Sequence, residues 1–275
     1  MQTASQIKAM LQARGLRPRK ALGQNFLIDQ NLIRKLVEAS GAGAGDTVLE
    51  VGPGTGTLTE VLLERGCRVI ACELDRDLCA LLRERLGANP NFSLIEGDCL
   101  AGKRALSPHL EAALGDGPFS LVANLPYGAA TPLLLILLTR RPACSAMHVT
   151  IQREVAQRLA AAPGTEAYGS ISVIAAAAAT IQTIATLPPE CFWPRPGVES
   201  AMISIRRTNP EVVAGTIDLP HLADLCQTLF TQRRKYIRAA CRNLDLTLPE
   251  GVDPTRRVCE MTLADFIALA QAAKI

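Results

Sequence analysis

The tetrapeptide Asn124-Leu125-Pro126-Tyr127 is the part of the sequence best suited to chemistry on an aromatic amine. It follows an apolar run, 119–123, that is typical of a buried strand. The exocyclic amine of adenine is a weak nucleophile because its lone pair is delocalised into the ring. The side-chain carbonyl of Asn124 and the backbone carbonyl of Leu125 can accept both amine hydrogens and aim the lone pair at an electrophile. Pro126 holds the turn without a competing N–H, and Tyr127 offers a face for base stacking.

A second set of suitable residues begins with Gly52-Pro53-Gly54-Thr55-Gly56, between a strand-like run (47–51) and a helix-like run (57–65). A turn of small residues in this place is how an open α/β sheet admits a nucleotide-like ligand. Glu73 ends the next strand-like run about 20 residues later, where a carboxylate accepts hydrogen bonds from ribose hydroxyls. Asp98 follows the third such run and can accept a hydrogen bond from an adenine amine. These residues predict a ligand that contains a ribose.

The spacing of the glycines selects the ligand class. A dinucleotide site requires G-x-G-x-x-G, whereas this turn has G-x-G-x-G, and no Gly-Lys-Ser/Thr of a P-loop follows. S-adenosylmethionine, which has a ribose and no phosphate, is the remaining common ligand. The alternatives are a tight turn without ligand, a capping role for Asp98 and a plain capped turn at 124–127. The convergence of these signals on one sheet edge favours the cofactor.

The elements that must position these residues alternate between strand-like and helix-like runs with short connections. These runs are 47–51, 57–65, 68–73, 76–86, 92–95, 119–123, 132–139 and 146–151. Such alternation predicts an α/β fold with a doubly wound parallel sheet. We expect an arm (1–28), a main domain (29–209) and, after Asn209-Pro210, a small helical domain (210–275).

The expected helical domain carries two faces in one helical pattern. Phe230, Ile237, Cys241 and Leu244 share an apolar face, while Lys235, Arg238 and Arg242 share a basic one. The net charge of +3 is too small to indicate a polyanionic partner by itself. Two local basic clusters, one before position 21 and one at 233–238, indicate nucleic acid, although a short charge run is often only solvated surface.

Cysteine usage and hydropathy bear on location. Nine cysteines without a C-x-x-C pair predict buried thiols in a reducing compartment rather than disulfides or zinc. The first 19 residues lack the apolar core of a signal peptide. The alanine-rich stretch 171–187 is interrupted by polar residues and is interpreted as buried structure. We expect a cytoplasmic protein.

Taken together, these motifs resemble the ribosomal RNA adenine dimethyltransferase family. The residues that carry the resemblance are Gln24-Asn25-Phe26-Leu27, Glu50-Val51-Gly52-Pro53-Gly54-Thr55-Gly56, Glu73-Leu74-Asp75, Asp98, Asn124-Leu125-Pro126-Tyr127, Phe192-x-Pro-x-Pro and Gln232-Arg233-Arg234-Lys235. The last of these resembles a C-terminal basic helix of the family. The Asn-Leu-Pro-Tyr form and the Gln-Arg-Arg-Lys run resemble the branch that dimethylates two adjacent adenines near the end of small-subunit RNA. The macrolide-resistance branch usually has Ile in place of Leu125.

The resemblance implies a Rossmann-like class I methyltransferase with S-adenosylmethionine as cofactor. The implied cofactor contacts are Asn25, Leu27, Gly52, Gly54, Glu73, Asp98 and Asn124. The implied catalytic residues are Asn124, Leu125, Tyr127 and Phe192. Phe192 would sandwich the target adenine with Tyr127, unless it is a core residue beside Trp193. The arm would then fold over the methionine end of the cofactor.

The implied partner is small-subunit ribosomal RNA in an immature 30S subunit, bound by a monomer without metal or membrane. The residues expected to hold RNA phosphates are Arg19, Lys20, Arg233, Arg234, Lys235 and Arg238. The sequence departs from the family at Gly128, where Asn is common, at Gly197, where Lys is common, and at the alanines of 175–179, where Tyr is frequent. These departures concern RNA recognition and leave the transfer chemistry untouched.

Three other functions remain open at this point. One is methylation of large-subunit RNA of the macrolide-resistance type. Another is a non-catalytic RNA-binding assembly factor that has kept the fold. The third is adenine methylation of DNA.

Overall fold

The computed structural model describes residues 2–102, 104–207 and 218–273. The expected boundary at Asn209-Pro210 lies outside the described residues. The helices are α1 (Ala4–Ala13), α2 (Gln30–Ser40), α3 (Thr57–Glu64), α4 (Arg76–Leu86), α5 (Pro108–Leu114), α6 (Tyr127–Arg140), α7 (Arg153–Leu159), α8 (Ser170–Ala178), α9 (Leu219–Phe230), α10 (Ile237–Asn243) and α11 (Leu263–Ala272). The strands are β1 (Phe26–Leu27), β2 (Thr47–Val51), β3 (Arg68–Glu73), β4 (Phe92–Glu96), β5 (Phe119–Asn124), β6 (Cys144–Gln152), β7 (Ala179–Leu187), β8 (Phe192–Trp193) and β9 (Ser200–Arg207).

Seven strands form one sheet in the order β4-β3-β2-β5-β6-β9-β7. β2 pairs in parallel with β3 and β5, β3 with β4, and β5 with β6. The central strands are almost wholly apolar because flanking helices cover them, and Val48, Leu49 and Leu121 are fully buried. The prediction of an α/β fold with a doubly wound, mostly parallel sheet is confirmed.

Strand order places the two motif turns side by side. β2 lies next to β5, with Val48 opposite Ser120 and Leu49 opposite Leu121. Both strands run in the same direction, so the turns that follow them open at the same edge of the sheet. This is the topological reason why residues more than 70 positions apart in the chain, Gly52 and Asn124, reach a common cleft.

The chain divides into two compact units. The first comprises Met1–Ile136, Ala143–Arg153 and Gln182–Ile205; the second comprises Leu137–Pro142, Glu154–Ile181 and Arg206–Ile275. The second unit therefore contains two internal stretches of chain in addition to the expected helical domain at 210–275. For Glu154–Ile181 the reason is the alanine-rich helix α8, which packs against α9 and α11. Side chains as small as Ala175 and Ala178, both fully buried, let helices approach closely.

The prediction of one continuous helical pattern through 230–244 is wrong. α9 ends at Phe230, and α10 begins only at Ile237. Phe230 stacks on Phe266 of α11, with 5.6 Å between ring centroids, whereas Ile237 and Cys241 are buried on α10. Lys235 consequently lies in the connection between the helices rather than on a helical face shared with Arg238 and Arg242. The apolar periodicity was real, but it belonged to two short helices.

The N-terminal arm contains a helix that the sequence analysis did not predict. α1 begins with a capping box in which Thr3 and Gln6 exchange hydrogen bonds. Its Ile7 and Leu11 are buried in a cluster with Phe26, Leu78 and Leu81. Two buried residues one turn apart make too short a pattern to stand out, so packing onto α4 rather than local periodicity stabilises this helix.

All nine cysteines are free thiols, seven of them buried and two partly buried. The prediction of small buried thiols is confirmed. Within the described ranges, none of the helices combines the length and the apolar character that crossing a membrane requires.

Candidate active site

A cleft in the first unit opens at the carboxyl edge of β2, β3 and β5, and the end of the arm forms one of its walls. It is lined by every residue predicted to contact the cofactor, namely Asn25, Leu27, Gly52, Gly54, Glu73, Asp98 and Asn124. Leu125 and Tyr127, two of the predicted catalytic residues, line it too. The cleft therefore brings together two motif turns, two strand-end carboxylates and the arm.

The glycines of the first turn allow the cleft walls to approach closely. Gly52 and Gly54 have φ angles of +72° and +61°, in the left-handed region that favours glycine. A Cβ on Gly52 would lie 2.8 Å from Cγ of Pro126, and one on Gly54 would lie 2.8 Å from Cε1 of Phe26. The missing side chains thus make room for the 124–127 turn on one side and for the arm on the other.

Glu73 is held by backbone donors from both sides. Its Oε2 accepts a hydrogen bond from the N–H of Gly54 at 3.1 Å, and its Oε1 accepts one from the N–H of Asp75 at 2.9 Å. The residue is only 6% exposed, and burial raises the pKa of the carboxyl although these bonds oppose the shift. Each oxygen keeps a further lone pair, so the orientation suits the predicted contact with ribose hydroxyls.

Asn124 is oriented by the arm. Its Nδ2 donates to the backbone carbonyl of Asn25 at 2.9 Å. Because a carbonyl can only accept, this bond assigns the amide orientation and leaves Oδ1 as the acceptor available in the cleft. The next peptide is held as well, since the N–H of Leu125 donates to the carbonyl of Thr150 at 3.0 Å. Two separate elements therefore fix the group predicted to receive the amine hydrogens.

Tyr127 begins α6 and is partly buried. Its hydroxyl shares a hydrogen bond of 2.9 Å with Oγ of Ser200. Burial raises the pKa of the phenol above its usual value, so the ring is uncharged at neutral pH. The hydrogen bond restrains the ring at the cleft, as a stacking platform requires; Ser200 was not identified from the sequence.

Phe192 lies in the core rather than facing the cleft. It is 3% exposed and belongs to the apolar cluster that contains Leu187 and Met202. Its short strand β8 pairs antiparallel with β1, with Phe192 opposite Leu27. The structure therefore places Phe192 as the core residue that the sequence analysis had considered as the alternative, and it does not form the predicted sandwich with Tyr127. Phe192 packs in the same apolar cluster as Leu27 of the arm.

Asp75 ties the arm to the start of α4. Its Oδ1 is 3.1 Å from Nη1 of Arg19, and its Oδ2 accepts from Nε2 of Gln24 at 2.8 Å. Arg19 also reaches Asp77 at 2.6 Å. These contacts give Arg19 carboxylate partners where RNA phosphates were predicted, while Lys20 is exposed. Asp75 was quoted in the Glu73-Leu74-Asp75 motif, but the sequence had suggested no function for it. Its role in anchoring the arm is visible only in the structure.

The charge of the cleft wall is one-sided. Glu73 and Asp98 line it together with Glu50, which burial disposes toward its uncharged form, and no Lys or Arg does so within the described part of the chain. A wall of this kind disfavours a phosphate and suits a nucleoside with a positive charge. The phosphate-free, positively charged S-adenosylmethionine fits these residues.

Glu50 was quoted only as part of a motif, yet it is the most perturbed acid of the cleft. It is 2% exposed, and Oγ1 of Thr59 donates to its Oε2 at 2.7 Å. Burial, together with repulsion from Glu73, raises the pKa of Glu50 to about 8. The hydrogen bond from Thr59 acts in the opposite direction and is outweighed. Burial therefore favours the protonated form of Glu50 well above the usual pH range of a carboxyl, which the sequence did not reveal.

The second unit carries the predicted RNA-binding residues Arg233, Arg234, Lys235 and Arg238, which we call the basic surface. Nη2 of Arg233 donates to the carbonyl of Glu166 at 3.0 Å. Arg234, Lys235 and Arg238 are exposed, and within the described residues none of the three forms an ion pair. Their charge is therefore available to an external anion.

The described residues contain no group of three or more His, Cys, Asp or Glu side chains that could hold a metal ion.

Comparison with known proteins extends the resemblance to the whole chain. The family model for ribosomal RNA adenine dimethylase matches residues 15–274. The chain belongs to this family. A ribosomal RNA small subunit methyltransferase A of Phenylobacterium zucineum is 40% identical over 280 residues, covering 99% of this chain and 94% of that protein. A protein of the same name from Magnetococcus marinus is 40% identical over 270 residues, with 96% and 95% covered.

Two solved structures share the fold of this chain. A dimethyladenosine transferase from Plasmodium falciparum has a TM-score of 0.70 at 20% identity, covering 89% of this chain and 95% of that one. The 23S rRNA methyltransferase ErmE has a TM-score of 0.63 at 24% identity, covering 90% and 99%. These neighbours confirm the class I methyltransferase architecture of this member of the family.

Proposed function

We propose that this protein dimethylates the exocyclic amine, N6, of two adjacent adenines in a hairpin near the 3′ end of small-subunit ribosomal RNA. S-adenosylmethionine would be the methyl donor, and the immature 30S subunit the substrate particle. The observation that carries the proposal is the orientation of Asn124, whose Nδ2 bonds to Asn25 and whose Oδ1 is left for an amine in an acid-lined cleft. Relatives named small subunit methyltransferase A, 40% identical along the chain, support the choice of RNA.

The cofactor would supply an electrophilic methyl group on a positively charged sulfur. Glu73 and Asp98 are placed to accept hydrogen bonds from its ribose and adenine, and Gly52 and Gly54 leave space for it. Asn25 and Leu27 bring the arm over the same space. The arm is therefore proposed to contribute to cofactor binding, held in place by Asp75.

The residues of the 124–127 turn would act on the target amine. Oδ1 of Asn124 and the carbonyl of Leu125 accept its two hydrogens, which directs the nitrogen lone pair away from the ring. Tyr127 stacks on the base, which must leave its own stack to arrive there. The nitrogen becomes acidic once alkylated, so water can take the proton and no strong base is needed. After one transfer the amine keeps one hydrogen, which one of the two acceptors still holds, and the pocket must accommodate the methyl group in place of the other hydrogen.

RNA would be held by charge from both units, through Lys20 in the first and Arg234, Lys235 and Arg238 in the second. Arg19 and Arg233, which have internal partners, would contribute less than the sequence analysis expected. Unpaired adenines in a hairpin loop meet the requirement for an unstacked base better than a duplex does. We assign RNA binding to the second unit as a whole, rather than to 210–275 alone, and expect the protein to act as a monomer.

The test is a radiolabelled methyl-transfer assay with four substrates in parallel. These are unmethylated 30S subunits, 30S subunits that already carry the modification, unmethylated large-subunit RNA and duplex DNA with adenines. We expect incorporation into the first alone, with dimethyladenosine as the nucleoside product. Incorporation into large-subunit RNA or DNA would instead support those alternatives, and absence of incorporation from every substrate would favour the non-catalytic assembly factor.

A further inference from the structure

Tyr236 is unusual among the aromatic residues of this protein. The chain has six Phe, three Tyr and one Trp, all within the described ranges. Tyr236 is the most exposed of these ten, at 56%, and the others are buried or partly buried. Its hydroxyl makes no hydrogen bond to another described residue. Neither burial nor a hydrogen bond of the hydroxyl accounts for the position of this side chain.

The backbone around Tyr236 is rigidly held, so the exposure does not come from a loose loop. Tyr236 forms an antiparallel bridge with Arg257. On either side, the N–H of Ile237 donates to the carbonyl of Arg256 at 2.8 Å, and the N–H of Val258 donates to the carbonyl of Lys235 at 3.1 Å. Ile237 and Val258 are fully buried beneath this ribbon. The ring is therefore presented outward from a fixed backbone.

One side of the Tyr236 ring is supported by a cation. The guanidinium carbon of Arg257 lies 6.0 Å from the ring centroid, at the limit of a cation–π contact. Among the described acids, none forms an ion pair with Arg257; Glu260 bonds to its backbone N–H, and Asp253 and Asp265 lie near Arg256 instead. The ring and its cation are thus both available to a ligand.

The surroundings select the class of ligand. The stretch 231–243 contains five basic residues and no acid, and Arg234, Lys235 and Arg238 of the basic surface flank Tyr236 in sequence and are exposed. A stacking face set among unpaired cations is the arrangement that binds single-stranded nucleic acid, where phosphates meet the charges and a base meets the ring. A membrane or protein partner would call for a continuous apolar patch instead.

We propose that Tyr236 and Arg257, in the second unit, form a base-stacking subsite for an unpaired ribonucleotide other than the target adenine. The subsite deepens the proposed function, on which it rests, by adding a contact to a second, unmethylated nucleotide of the same RNA. Its specificity is for the unpaired state rather than for one base, because stacking accepts every base.

The test measures binding by the full-length protein of a fluorescent single-stranded RNA and of the same RNA annealed into a duplex, across a salt series. Tyr236→Ala should weaken single-strand binding roughly 5- to 150-fold and leave duplex binding and the salt slope unchanged. Tyr236→Phe should bind like the wild type, because it keeps the ring. Lys235→Ala is the matched control, and should weaken both RNAs and lower the salt slope by about 0.7–0.9.

Unchanged single-strand affinity of Tyr236→Ala, or equal losses on single-strand and duplex RNA, would overturn the subsite. Thermal unfolding checks that Tyr236→Ala is folded. If it is not folded, the binding test is repeated with Tyr236→Leu, which keeps apolar area without a ring. Methyl transfer by the wild-type protein to unmethylated 30S subunits is measured in parallel with RNA binding. A wild type that binds single strands through Tyr236 but methylates nothing contradicts the proposed function and not the subsite.

Discussion

In the cleft of the first unit, Glu73 is buried and Asn124 is partly buried, and both are bonded to the chain itself, whereas the cations on the basic surface of the second unit are mostly exposed and mostly lack internal partners. Both oxygens of Glu73 accept from backbone N–H groups, and Asn124 is bonded to Asn25. Arg234 and Lys235, by contrast, face solvent. The cleft would therefore act by orienting the reacting groups at short range, whereas the basic surface would attract RNA phosphates at longer range through its charge. Substitutions in the two regions should differ in what they change.

The largest difference between the two regions is expected for a substitution at Asn124. Asn124→Ala removes the Oδ1 acceptor, and we expect a loss in kcat of roughly 100- to 1,000-fold, by analogy with removal of one preorganised hydrogen-bonding group from an active site. RNA affinity should stay near the wild-type value, since the basic surface is untouched. Single-turnover methyl transfer and RNA binding are the two measurements.

Asn31→Ala, an exposed asparagine on α2, is the matched control for Asn124→Ala and should retain wild-type kcat. Comparable losses of RNA affinity and kcat in Asn124→Ala would mean that the two regions are not functionally separable.

A smaller effect is expected at Arg19, which lies on the arm beside the cleft and was also predicted to bind RNA phosphates. Arg19→Ala removes the ion pairs to Asp75 and Asp77 and loosens the arm that carries Asn25. We expect the KM for the cofactor to rise about three- to tenfold, modest because Arg19 is half exposed, with little change in kcat.

The control for Arg19→Ala is Arg17→Ala, an exposed neighbour on the arm, which should keep the wild-type KM for the cofactor. If Arg19→Ala instead lowers RNA affinity with a reduced salt slope and leaves this KM unchanged, its main role is on phosphates, as the sequence analysis expected.

A third effect concerns stability rather than rate, at Glu50. Its pKa is raised from 4.5 to about 8 in the folded protein, so between these values the folded chain binds more protons than the unfolded chain. The free energy of unfolding contributed by this group therefore falls as pH rises through that window. Glu50→Gln lacks the titration, so its Tm relative to the wild type should increase from pH 5 to pH 8.

Thermal unfolding at several pH values tests the Glu50 prediction, with Glu38→Gln, an exposed acid on α2, as the control that should track the wild type. A Tm difference that is constant with pH would show that Glu50 does not titrate in this range.

Local patterns were enough to predict most of the main sheet. β2 and β3 were predicted with the bounds that the structure has, because each is an apolar run bounded by turn residues. The same reasoning failed where two elements share one pattern, as in the break between α9 and α10. It also failed at α1, whose stability comes from contacts with Leu78 and Leu81 about 70 residues away.

The cleft residues were predictable for a topological reason. Parallel strands end at one edge of a sheet, so Gly52, Glu73, Asp98 and Asn124 could be expected together without knowing any distance. Phe192 shows the limit of this logic. It lies outside the main sheet, its strand β8 pairs with β1, and only packing decides whether its ring faces the cleft or the core.

The order of residue types along the chain determined by itself the fold class, the cleft residues and the basic surface, because hydrophobic periodicity, glycine turns and charge runs are local properties. Only the tertiary structure decided which way the Asn124 amide points, that Arg19 meets Asp75, that burial raises the pKa of Glu50 and that Tyr236 is exposed. These are properties of surroundings rather than of residues. They depend on distances and burial that arise only when distant segments pack together.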